Sequence, residues 1–181
     1  RPASFSAAVD RLVSGLWSGT EVLGFGECMH GSPDMLQMRN QLFRHLVEFH
    51  GFRSIAIESS FIRGREVDAH ISGNSPASSA AVLECGFSHE FGKLGANREL
   101  VEWMREYNDA SCNPAKLRFY GFDSPTEMMY ADSPRQLLEI ALGYLESVDR
   151  DAGGEFRDRT VPYLREDAAW ESQAAMMEPA K

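Results

Sequence analysis

Glu27 and His30 lie three residues apart in the segment GFGECMHGSPD, residues 24–34, where a hydrophobic run ends. Imidazole is the side chain best matched to proton transfer near neutral pH, and a neighbouring carboxylate would hold its tautomer and raise its basicity. Gly31 and Pro33 keep the backbone irregular and could leave the imidazole facing a crevice. His30 is therefore a candidate general base with Glu27 as its partner. A capping or hydrogen-bonding histidine is the alternative.

Two further acids and one arginine extend this group. Glu58 and Asp123, like Glu27, end short apolar runs. Arg39 falls inside the apolar stripe of a predicted helix, and a lone charge buried there would need a partner such as Glu27 or Glu58. Acids that only begin helices or turns, and an arginine whose head reaches water, are the competing interpretations.

Alternating short strands and helices must position these residues. The apolar runs at 21–27, 53–58 and 116–123 predict strands, and the patterns at 34–50, 97–108 and 133–148 predict helices, with Ser133 and Pro134 opening the last. Strand, helix and strand joined tightly at Gly51 predict a βαβ unit. The fold class is α/β, a parallel sheet flanked by helices. Because ligands bind beyond the carboxyl ends of parallel strands, the acids should converge there.

The domain organisation follows from breaks in these patterns. Residues 1–150 are expected to form the α/β domain, with a polar surface loop at 72–81. Residues 151–181 are expected to be a linker or turn around Gly153 and Gly154, followed by the start of a helical segment at about 161–177. No internal repeat is visible.

Composition excludes several classes of function. The net charge of −9 argues against a large phosphate-binding face, so nucleic acid is not expected as a partner. No apolar run approaches the roughly 20 residues that span a bilayer, so no membrane partner is expected. Cys28, Cys85 and Cys112 form no CxxC pair, which favours reduced thiols and a cytoplasmic location. The oligomeric state is not indicated.

The residues also resemble a known family. The block GECMHGSPDMLQMRNQLFRHLVEFHGFRSIAIES, with the later ELVEWMREYN and RFYGFD, resembles the erythromycin esterase family from about residue 21 to 123. The resemblance implies a hydrolase in which His30 activates water for attack on an ester or lactone carbonyl, without a cofactor. Glu27 and Glu58 would orient the base, Arg39 would be their counter-charge, and Asp123 would be an outer or structural member.

The same resemblance implies a small-molecule ester or lactone as substrate, with macrolide hydrolysis, and hence antibiotic resistance, as one case. Family chains also carry a later motif, Trp-Ala-His-Asn-x-His, which this sequence does not contain. The chain is therefore expected to be an N-terminal portion, or a member that has lost part of its chemistry and acts as a binding module.

Two other mechanisms remain open from the residue types. A divalent metal such as Zn, Mn or Fe could be bound by Glu27, His30 and Glu58. Against this, the group contains only one histidine, and Arg39 would repel a cation. Cys28 could act as a nucleophile with His30 as its base, although a buried, inert thiol is the expected state. The other four histidines are expected at the surface or at helix ends: His45, His50, His70 and His89.

Overall fold

Two parallel strands, β1 (Ser54–Ser60) and β2 (Arg118–Asp123), form a small sheet flanked by helices. The computed structural model describes residues 3–110, 115–123 and 134–164. Ser54 pairs with Arg118 and Ile57 with Gly121, but the next pair is Ser60 with Asp123. Two residues of β1, Glu58 and Ser59, therefore face one residue of β2, Phe122. This β-bulge bends β1 at Glu58, the residue at which the sequence predicts the strand to end.

Seven helices and two 3-10 turns complete the described part of the chain. The helices are α1 (Ala3–Ser14), α2 (Pro33–His50), α3 (Phe61–Ile71), α4 (Ser79–Cys85), α5 (Gly95–Asp109), α6 (Pro134–Val148) and α7 (Arg150–Thr160); the 3-10 turns are Phe91–Lys93 and Val161–Tyr163. Helices α3, α4 and α5 follow β1 along the chain and precede β2.

Local signals set the ends of α2 as the sequence predicts. Pro33 occupies the first turn, where its missing N–H is not needed, and Asp34 places an acid there. Gly51 ends the helix with a φ of 77°, a left-handed conformation that glycine adopts without strain. Leu42 and Phe43 are buried, whereas Phe49 is exposed and does not belong to the core.

The strand predicted at residues 21–27 is wrong, because this segment is irregular. Gly24 and Gly26 bring no side chain to pack on a sheet, and Val22 is 85% exposed. Only Leu23 packs against the small cluster between α1 and α2. The βαβ unit predicted around α2 therefore does not form, and the parallel pair is made by β1 and β2.

The hydrophobic core lies between the sheet and helices α2 to α5. Its members are Phe43, Val47, Ile57, Val67, Ile71, Val82, Leu83, Phe87, Leu100, Val101, Met104, Leu117 and Phe119. Helix α3 approaches β2 closely because two glycines meet there. A Cβ atom on Gly64 would lie 2.6 Å from the backbone nitrogen of Gly121, and one on Gly121 would lie 2.3 Å from the carbonyl oxygen of Ser60.

Residues 150–160 form helix α7, where the sequence predicts a linker or turn. Asp149 caps the helix by accepting a hydrogen bond from the Ala152 N–H. Gly153 lets α7 contact α6, since a Cβ there would lie 2.5 Å from the Cγ of Glu146. Arg157 then donates hydrogen bonds to Glu146 and Glu139 on α6. Ser133, Cys112 and most of the helix predicted at 161–177 lie outside the described residues.

Candidate active site

One cavity of about 280 Å³ collects four predicted site residues from three parts of the chain: the segment 25–31, α2 and β1. The segment 25–31 forms one wall, α2 and the first turn of α5 form another, and β1 and β2 close the floor. The lining residues are Phe25, Gly26, Glu27, His30, Gly31, Leu36, Arg39, Ala56, Ile57, Glu58, Phe91, Leu94, Asn97 and Phe122. Glu27, His30, Arg39 and Glu58 therefore face the same space.

His30 lies between the two glutamates. Its Nδ1 atom is 3.5 Å from Glu27 Oε1 and 3.7 Å from Glu58 Oε2. The side chains of His30, Glu27 and Glu58 are 65%, 29% and 49% exposed, so water reaches all three. Both carboxylates approach the same ring nitrogen. This arrangement suits an Nδ1–H that points toward carboxylate and an Nε2 that is available to accept a proton.

The bulge in β1 determines where Glu58 lies. The strand continues two residues beyond Glu58, to Ser60. The buried side chains of Ser59 and Ser88 hydrogen-bond to each other and hold this stretch. The Ser88 hydroxyl accepts a hydrogen bond of 2.9 Å from the Ser60 N–H, and the Ser59 hydroxyl accepts one of 3.0 Å from the Ser88 N–H. These serines position Glu58 from behind. No local pattern in the sequence points to Ser59 and Ser88, because they are 29 residues apart.

Arg39 is held by two buried amides. Its Nη2 donates hydrogen bonds to Asn97 Oδ1 at 2.7 Å and to Asn40 Oδ1 at 2.8 Å. Asn40 in turn donates to the Ala96 carbonyl, and Asn97 donates to the Phe91 carbonyl. The hydrogen-bond acceptors of Arg39 are therefore these two amides, and not the carboxylates of Glu27 and Glu58 that the sequence suggested.

Burial lowers the pKa of Arg39 without removing its charge at neutral pH. Desolvation lowers the pKa of its guanidinium to about 10, and the nearby Glu27 carboxylate partly opposes that shift. The side chain remains protonated at neutral pH and supplies positive potential to the cavity. Asn97 could have been noticed in the sequence, because it is a polar residue on the apolar side of α5 beside Leu100 and Val101.

The other residues singled out from the sequence do not line the cavity, and several differ from the burial expected for them. Asp123 ends β2 opposite Ser60, and its neighbour Phe122 lines the cavity instead. Cys28 is exposed, so the expectation of a buried thiol is wrong, and the extended strand that would align it with His30 is absent. The surface or helix-end location expected for His45 is wrong, since His45 is buried in the body of α2. His70 lies in the last turn of α3, as expected, although it is buried.

Two solved structures resemble the fold of this chain. The chain resembles a Bacillus cereus protein with a TM-score of 0.52 at 17% identity, over 83% of this chain and 44% of that protein. It resembles a succinoglycan biosynthesis protein with a TM-score of 0.55 at 16% identity, over 81% of this chain and 34% of that protein. At these identities the likeness concerns the fold alone.

Comparison of sequences gives the family. The family model described as erythromycin esterase matches residues 47–181, so the chain belongs to the erythromycin esterase family. It is 26% identical over 129 residues to an Escherichia coli protein named erythromycin esterase type I, which covers 71% of this chain and 30% of that relative. The chain thus spans about a third of the length of this curated relative. The family match includes Glu58 and Asn97 and begins after Glu27, His30 and Arg39.

Among the described helices, none is long and apolar enough to cross a membrane.

Proposed function

We propose that His30 is the general base of an ester hydrolase. The observation that carries the proposal is the position of its Nδ1 atom, 3.5 and 3.7 Å from two carboxylates at the edge of a cavity. Nε2 takes a proton from water as the water oxygen attacks the ester carbonyl carbon. The tetrahedral intermediate then collapses, the bond to the alcohol oxygen breaks, and the protonated imidazole returns its proton to the departing alcohol.

Glu27 and Glu58 orient His30 and stabilise the imidazolium that forms. Their distances to Nδ1 exceed a hydrogen bond, and catalytic contacts of this kind commonly shorten when substrate binds. Arg39 balances the charge of the two carboxylates from the buried side of the cavity. Because its guanidinium is fixed by Asn97 and Asn40, the positive charge stays in place through the reaction.

The lining of the cavity favours an uncharged organic ester or lactone. Seven apolar side chains contribute to it: Phe25, Leu36, Ala56, Ile57, Phe91, Leu94 and Phe122. Ligand sites of small organic molecules typically combine such apolar walls with a few fixed polar groups. A macrolactone is one candidate substrate, supported by the family and by the name of the Escherichia coli relative.

The test is a hydrolysis assay with a panel of carboxylic esters and macrolactones, using this chain and the longest natural chain that contains it. His30→Asn should lower turnover by roughly 10²-fold or more, the usual contribution of a general base, while circular dichroism shows the fold retained. Glu102→Gln is the control, because Glu102 is exposed on α5 and does not line the cavity.

Full activity in His30→Asn would overturn the proposal. Chelation should leave the hydrolysis rate unchanged under conditions where the protein stays folded. If chelator abolishes activity and added metal restores it, Glu27, His30 and Glu58 act as metal ligands and the general-base mechanism is rejected. If no ester is turned over but ligands bind with an affinity that depends on His30, the chain is a binding module.

A further inference from the structure

A second group of polar side chains, outside the cavity, joins α1 to α2. The Nε2 atoms of His45 and His50 lie 2.6 and 2.8 Å from the same carboxylate oxygen, Oδ1 of Asp10. The three ligand atoms all lie within 4.8 Å of one another. Neither histidine has a role in the proposed hydrolysis.

Two imidazoles and a carboxylate are ligands that divalent transition metals bind in proteins. The ring centroids of His45 and His50 lie 5.4 Å apart. With Zn–N bonds of about 2.0–2.1 Å, and about 1.1 Å more from nitrogen to centroid, this separation corresponds to an angle of about 115° at the ion. That angle is close to the tetrahedral value of about 109°.

The carboxylate has room to complete the site. Ligand atoms around a tetrahedral Zn²⁺ are about 3.3 Å apart, so Asp10 would have to withdraw by roughly 0.5–0.7 Å from the two nitrogens. Its side chain is 53% exposed, so it can do so. Each neutral imidazole would then carry its proton on Nδ1, and water would occupy the fourth position.

The packing around His45 holds this ligand and the two helices in place. His45 is 2% exposed and its ring lies 4.7 Å from that of Phe49, centroid to centroid. Helix α1 is held on α2 by a small apolar cluster built around Val9, Leu42 and Leu46. An ion at Asp10 would add a strong link between two helices that otherwise share little buried surface.

We propose that Asp10, His45 and His50 form a binding site for a divalent transition metal, with Zn²⁺ as the probe, that fastens α1 to α2. The site is separate from the cavity: His45 and His50 lie about 9 and 16 Å along the α2 axis from Arg39, at 1.5 Å per residue. Its role is structural, so it is independent of the hydrolysis proposed above.

Equilibrium dialysis of the metal-stripped 181-residue chain against Zn²⁺ should give one tightly bound ion per chain, with a raised melting temperature. Asp10→Asn should lower the Zn²⁺ affinity by at least about 100-fold, because loss of a supporting partner alone costs 10–100-fold. The asparagine Oδ1 can still accept the two hydrogen bonds, so Asp10→Asn without metal should melt near the wild-type temperature. His50→Gln, at the end of α2, should lose Zn²⁺ binding as well.

His30→Asn is the control that separates this site from the cavity, and it should bind Zn²⁺ as the wild type does. Loss of binding in His30→Asn, with Asp10→Asn unaffected, would place the ion in the cavity and overturn the proposal. Absence of Zn²⁺ binding to the wild type would overturn it too and leave the group as a hydrogen-bonded helix clamp. Neither result bears on whether His30→Asn loses ester hydrolysis, so the two proposals fail independently.

Discussion

Replacing Arg39 with methionine should remove a partly buried charge and its three hydrogen bonds to Asn40 and Asn97 at once. Desolvation, the main cause, lowers the pKa of the guanidinium from its usual value to about 10. A shift of that size means that keeping Arg39 charged at neutral pH costs the folded state about 3 kcal/mol. Methionine has a similar length and no charge, so it relieves this term. Asn97 Oδ1 and Asn40 Oδ1 then lose their donor, at about 1–3 kcal/mol for each buried acceptor.

These terms nearly cancel, so Arg39→Met should lower the free energy of unfolding by only about 1 kcal/mol. A buried ion pair would behave differently, since breaking one costs about 3–5 kcal/mol. Glu27 and Glu58 are partly exposed and can be solvated by water once Arg39 is gone. Urea-induced unfolding at neutral pH, followed by circular dichroism, measures the difference.

Arg39→Lys is the matched control, because it keeps the charge but not the planar fork that bridges the two asparagines. It should destabilise the protein more than Arg39→Met does. A loss above about 3 kcal/mol in Arg39→Met, or a lysine variant more stable than the methionine variant, would refute the account and favour direct pairing with a carboxylate.

Two further outcomes test the packing around the site and the α6–α7 pair. Gly121→Ala should destabilise by about 1–3 kcal/mol or more and disturb Glu58, because its Cβ would lie 2.3 Å from the Ser60 carbonyl; Gly143→Ala, with open space around it, should not. Hydrogen bonds from Arg157 lower the pKa of Glu146, so their stabilisation should be present above about pH 4.5 and lost as the pH falls through the lowered value. Glu146→Gln should remove that part of the acid dependence of urea unfolding, and an unchanged acid transition would contradict it.

The sequence by itself determined the features that depend on neighbouring residues. Pro33, Asp34 and Gly51 fix the ends of α2 through the geometry and hydrogen bonding of their own backbone, so the helix is predicted correctly. Glu27 and His30, which are three residues apart in the sequence, also lie close together in the structure. The family resemblance read from these motifs is confirmed by the family match.

Only the tertiary structure decided which distant groups meet. Arg39 contacts Asn97 across 58 residues, and the buried His45 meets Asp10 of α1 across 35 residues. The apolar run at 21–27 has strand-like composition, yet it does not join the described sheet and stays irregular. Gly153 suggests a turn locally but allows α7 to pack on α6. Side-chain and backbone preferences act over a few residues, whereas burial and pairing depend on the path of the whole chain, which no local pattern encodes.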